Sequence, residues 1–156
     1  MTPPPGVWQV AAGFLTAIIL QLLPVHSSWM AWKPNFILVL VIALILTHPE
    51  QFGVGFACLL GLLADGVYGT AFGHLMFIFV ICGGLSCILG GWTSYFALSF
   101  RMLSVFALCV LAGLLQSILI NIQGLPADIQ LSLGPAILSA AFLPLFEKFF
   151  VILNRL

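Results

Sequence analysis

Apolar residues run through this chain in long blocks, and polar residues collect in the short gaps between them. Residues 7–23 form the first block and end at Pro24. Residues 36–46 form the second, which is β-branched and leucine-rich and stops at Thr47-His48-Pro49-Glu50. That quartet has the form of a capping box, with Thr47 as N-cap, Pro49 in the first turn and Glu50 at the third helical position. A third helix is therefore expected from Glu50 to about Ala64. A fourth block follows Gly73, a fifth follows Arg101, and a sixth opens near Gly134-Pro135 with Pro144 expected to kink it. The pattern predicts one all-α transmembrane domain over residues 1–156, with six helices at roughly 7–24, 33–47, 50–65, 73–92, 101–121 and 134–153. The second and third blocks fall short of the ~20 residues a span needs. They reach that length by recruiting flanking residues, or the bilayer thins around them.

Charge makes the membrane assignment firmer. The 156 residues include four basic and four acidic side chains, 5% of the chain, against ~25% in soluble domains. So few charges cannot make a water-facing surface. The absence of a basic cluster and the net charge of zero argue against nucleic-acid binding. The start lacks a charged region and a small-residue cleavage site, so the first block is expected to stay as a helix. Basic residues favour the cytoplasmic side. With six helices, Arg101, Lys148 and Arg155 share one side and Lys33 lies on the other, which places both termini in the cytoplasm. Trp29 and Trp32, in the first connection, suit the headgroup level.

The stretch Gly61-Leu62-Leu63-Ala64-Asp65-Gly66-Val67-Tyr68-Gly69-Thr70-Ala71-Phe72-Gly73 stands out. It holds the only acidic residue between Gln51 and Ala127. An ionised carboxylate at mid-bilayer costs at least ~2.5 kcal/mol. Asp65 therefore needs a membrane edge, a partner or a task. Gly61, Asp65, Gly69 and Gly73 recur every fourth residue, which on a helix makes a stripe for close approach; a break after Asp65 would instead make the glycines turn residues. Folding the second and third helices about Pro49 brings position 33 level with position 65, so an approach of Lys33 to Asp65 is expected.

Catalytic chemistry is hard to find. No G-x-S-x-G, H-E-x-x-H or Walker A pattern occurs. His26 and His48 fall on opposite sides of the expected topology and cannot share a metal. An Asp65–His74 proton relay is conceivable, but nothing else polar converges on it in the sequence; His74 reads better as an interfacial residue. Cys58, Cys82, Cys87 and Cys109 lie in apolar blocks without C-x-x-C spacing, which suits small packing residues. No enzyme, metal or cofactor is expected. A solute pocket would have to draw on Gln116, Asn121, Gln123 and Asp128.

Lys33-Pro34-Asn35, then an apolar run, then Pro49, then Gly61-Leu62-Leu63-x-Asp65-x-x-x-Gly69-x-x-x-Gly73 resembles the MreD family of rod shape-determining proteins. The resemblance covers about a third of the chain, residues 32–85, and six helices in this length also fit. It implies a bacterial inner-membrane component of the elongation machinery (elongasome) for side-wall peptidoglycan synthesis. The implied direct partner is MreC, with MreB, RodA and penicillin-binding protein 2 in the wider complex. It further implies no enzymatic activity, and a fold similar to the substrate-binding subunits of energy-coupling-factor transporters. Pro34, Asn35, Pro49, Gly61, Asp65, Gly69 and Gly73 are the positions that match, with Lys33 as the basic residue before them. In that reading the Asp65 turn, braced by Lys33 and Asn35, fixes the helix ends, and the glycines admit a partner span. A small-solute-binding transporter subunit is the alternative.

Overall fold

The computed structural model describes residues 6–24, 33–70, 72–93, 98–124 and 133–153. Among these it contains six helices and no strand. They are α1 (Val7–Leu22), α2 (Phe36–Thr47), α3 (Val54–Tyr68), α4 (His74–Thr93), α5 (Leu98–Ile122) and α6 (Leu133–Leu153). His26, Trp29, Trp32, Tyr95, Asp128 and Arg155 lie outside the described residues.

The bundle is built around α2. Residues 36–46 are all buried, on every side of the helix. A helix that is apolar all round suits such a position. α4, α1, α6 and α5 surround it, and α3 packs mainly on α4. The Phe36 ring meets Phe142 of α6 edge-on, with centroids 5.2 Å apart. Lipid tails are as apolar as these side chains, so fit rather than water expulsion holds such a core. Glycine makes that fit possible where α3 meets α4. A Cβ on Gly61 would lie 2.7 Å from the Met76 Cα, and one on Gly83 would lie 2.4 Å from the Ala57 Cβ.

The outer surface is as apolar as the core. Trp8, Leu15, Ile19, Leu59, Phe77, Ile88, Leu103 and Ile137 are all exposed. Among the described residues Glu50 and Lys148 are the exposed charges. Residues 74–91 in α4 and 99–122 in α5 are long and apolar enough to cross a membrane; α1, α2, α3 and the apolar part of α6 are shorter.

The largest departure from the sequence pattern is at α3, whose two ends both shift. α3 starts at Val54 with Gly53 as its N-cap, not at Glu50. Thr47 is not a cap but the last residue of α2, and its hydroxyl donates back to the Ala43 carbonyl at 2.8 Å. The side chain chose its own helix over the next one, as Ser and Thr do at helix ends. Residues 48–53 then form the turn, and Pro49 packs against α4, 3.2 Å from where a Cβ on Gly90 would stand. At its far end α3 takes in Gly66, Val67 and Tyr68. α6 stays helical through Pro144.

Candidate functional site: a polar belt at one end of the bundle

One end of the bundle gathers the C-termini of α1, α3 and α5 and the N-termini of α2 and α4. Helix ends leave backbone groups unpaired, and in an apolar setting each must find a partner. A short series of side chains supplies them.

Asp65 sits in the last turn of α3 and is buried. Gly69 ends that helix in the left-handed conformation, φ 63°, and its amide bonds back to the Asp65 carbonyl. Gly73, at φ 90°, turns the chain into α4. Both conformations disfavour a side chain. The turn brings the start of α4 onto the Asp65 carboxylate. One oxygen accepts the Thr70 hydroxyl at 2.7 Å and the Leu75 amide at 2.8 Å. The other accepts the Gly73 amide at 3.0 Å and the Met76 amide at 3.3 Å. A carboxylate has about four acceptor sites, and all are used. The positive end of the α4 dipole adds to the balance. Asp65 is thus a helix cap supplied by the preceding helix, with no cation needed.

The expected Lys33–Asp65 approach does not form. Lys33 donates to the carbonyls of Gln21 and, at 3.0 Å, Leu23, the open C-terminus of α1. A cation is favoured there by the helix dipole. Gln21 returns the contact, accepting the Phe36 amide at 3.3 Å. The predicted level was right even though the pairing was not. Asn35 caps α2 by accepting the Leu38 amide at 3.1 Å, and the same oxygen accepts the Tyr68 hydroxyl of α3, also at 3.1 Å. Pro34 is buried between these groups. At the start of α4, the buried His74 meets Gln123, with Nε2 3.4 Å from Nδ1. The belt therefore ties α1 to α2, α2 to α3, α3 to α4, and α4 to the end of α5.

The glycines divide into two jobs. Gly61 lies on the helix and is occupied by Met76 and Phe79 of α4, so it does not receive an outside span. Gly69 and Gly73 shape the turn and are not part of a helical stripe. Tyr68, Thr70 and Gln21 were missed from sequence. Their one signal was position, each being a lone polar tip beside a helix end in an apolar chain.

Little here can do covalent chemistry. The hydroxyls of Ser86, Ser104, Ser117 and Ser139 each donate to the carbonyl four residues back. His74 faces Gln123 through Nδ1 rather than Asp65, whose oxygens are filled by other donors. Among the described residues no three His, Cys, Asp or Glu side chains group as metal ligands. Gln116 and Asn121 are exposed, while Gln123 reaches His74, so these polar groups do not converge on a pocket.

A family model described as rod shape-determining protein MreD matches residues 5–153, nearly the whole chain. The chain belongs to the MreD family. It is therefore a membrane protein with a role in determining rod shape, in a family known for a structural role. No solved structure matches it, so the resemblance to energy-coupling-factor subunits gains no structural support. The MreD match extends well beyond residues 32–85, where the motif residues stand, into α1, α5 and α6.

Proposed function

We propose that this chain is a non-enzymatic scaffold of the bacterial inner membrane that holds an MreC-type partner beside the machinery of side-wall peptidoglycan synthesis. MreB, RodA and penicillin-binding protein 2 belong to the wider assembly. The MreD match over residues 5–153 carries this reading. The polar belt supports it, because Lys33, Asn35, Asp65 and His74 all make hydrogen bonds to neighbouring helices. Such a belt makes a rigid body rather than a reaction centre.

All six helices cross the membrane in this reading, α2 and α3 as short spans. Both termini face the cytoplasm. Arg101 and Lys148 lie toward the end formed by His48, Glu50 and the start of α5, and the belt faces outward. The excess of basic residues at the first end agrees with cytoplasmic placement.

The test is co-purification. The tagged chain, solubilised in mild detergent, is expected to retain an MreC-type single-span protein at a fixed ratio. A properly folded chain that retains none overturns the scaffold reading. A small solute retained instead would turn the assignment to a transporter-like binding subunit.

A further inference from the structure

We infer that the α3 side of this protein thins the bilayer and gathers short-chain lipid around it. The inference rests on the membrane-spanning reading above and adds a lipid partner to it.

α3 is the outermost helix on its side, since it packs mainly on α4. Its other face is open from end to end. Gly55, Leu59, Leu62, Leu63 and Gly66 are exposed, and nothing lies within 4 Å of a Cβ placed on Gly55 or Gly66. These positions recur at helical spacing and face outward together. The helix has 15 residues, so it is about 22 Å long. A typical hydrocarbon core is about 30 Å thick. The shortfall is about 8 Å.

The apolar helical face ends with α3; the flanking turns add only the half-buried Phe52 before it and the exposed Phe72 after it. Before α3 come Glu50 and Gln51, both exposed. After it comes the Gly69 turn, with Thr70 bound to Asp65. Tilting cannot help, because tilt shortens the span further. Beneath it α4 has 20 residues, about 30 Å, so the short face is that of α3 itself. α2 has 12 residues, about 18 Å, and its ends are tied to those of α3 and α4 through the Asn35–Tyr68 bond and the Pro49–Gly90 contact. A rigid short face leaves the lipid to adapt, by thinning or by exchange for shorter chains.

The experiment uses the full chain in vesicles. Its four tryptophans are replaced by Phe, and Leu59→Trp reports on the α3 face. The vesicles contain brominated dioleoyl-phosphatidylcholine, which quenches Trp, mixed with either dimyristoleoyl- or dierucoyl-phosphatidylcholine. Dimyristoleoyl lipid is expected to displace the quencher about threefold better than dierucoyl lipid. Adding Glu50→Leu and Gln51→Leu lengthens the apolar face, and is expected to move the preference toward the longer chain. Equal displacement by the two lipids, or a long-chain preference in the chain without those two changes, overturns the inference while leaving the scaffold intact. Failure of the protein to float with the vesicles overturns both the inference and the membrane-spanning reading.

Discussion

The Asp65 carboxylate accepts the Leu75 backbone amide at 2.8 Å, so a side chain on one helix caps the next. This single contact sets the prediction for Asp65→Asn. Asparagine keeps the shape but replaces one acceptor oxygen with a donor. That donor would face amides that also donate, those of Gly73 and Met76 or of Leu75. A charge-assisted hydrogen bond contributes ~1.5–3 kcal/mol, and a buried donor left unpaired costs ~1–3 kcal/mol. The expected loss is about 3 kcal/mol of stability, read as a lower melting point in detergent. Hydrogen exchange should speed up at residues 73–76 before it does elsewhere. Unchanged exchange there would mean that Asp65 does not hold the turn.

Gly61 and Gly66 should respond very differently to alanine. The new Cβ at 61 would meet backbone 2.7 Å away, while at 66 it would meet open space. Gly61→Ala forces α3 from α4, at a cost typical of overpacking, about 1–3 kcal/mol. Gly66→Ala, in a helix interior, should stabilise by roughly 0.5–1 kcal/mol. Melting curves of the two variants side by side test the division of labour among the glycines.

Much of the fold was legible because apolar blocks and polar gaps mark helices and connections directly. The Asp65 stretch was also legible, since a lone carboxylate in an apolar chain must be satisfied somewhere. How it is satisfied was not. Opposite charge and the fold about Pro49 pointed to Lys33, but backbone amides carry no sequence signature and they took the carboxylate. Thr47 shows the same ambiguity. Its hydroxyl could cap the next helix or bond its own, and only the tertiary position of Gly53 and Pro49 decides. α2 was visible as a block but not as the centre, because a lipid-facing helix and a fully enclosed one have the same apolar sequence.

Lys33 and Asp65 serve different helix ends, so their contributions should add. Lys33→Met frees the carbonyls of Gln21 and Leu23 and loosens α1. Asp65→Asn loosens the start of α4. With no shared partner, the double variant should lose the sum of the single losses within about 0.5 kcal/mol. A coupling well above that value would restore the ion pair the sequence suggested.

The opposite end of the bundle should carry a pH dependence through His48. Partial burial and the nearby Arg101 charge hold its pKa below the ordinary 6.5. The unfolded chain therefore binds the proton more readily than the folded one. The stabilising effect is complete above pH 6.5 and is lost as pH falls through the lowered folded value. Melting points should drop as pH falls below 6.5, and His48→Gln should flatten that part of the curve. If the drop is unchanged in His48→Gln, it comes from another group.

Gln116 offers a way to find where a partner span docks. It is exposed on α5, one of the two helices long and apolar enough to cross a membrane by itself. An amide facing lipid gains from a hydrogen bond to another helix, typically ~0.6–2 kcal/mol. Gly113 lies one turn away, with open space where its Cβ would be. Gln116→Leu should leave the melting point nearly unchanged, because an exposed side chain away from the belt contributes little to the fold. It should weaken retention of an MreC-type partner about three- to thirtyfold, the range those energies give. Weakened retention without loss of stability would place the partner on α5. Full retention would move the contact to another face, and the open side of α3 would be examined next by the same measurement on Leu62→Gln.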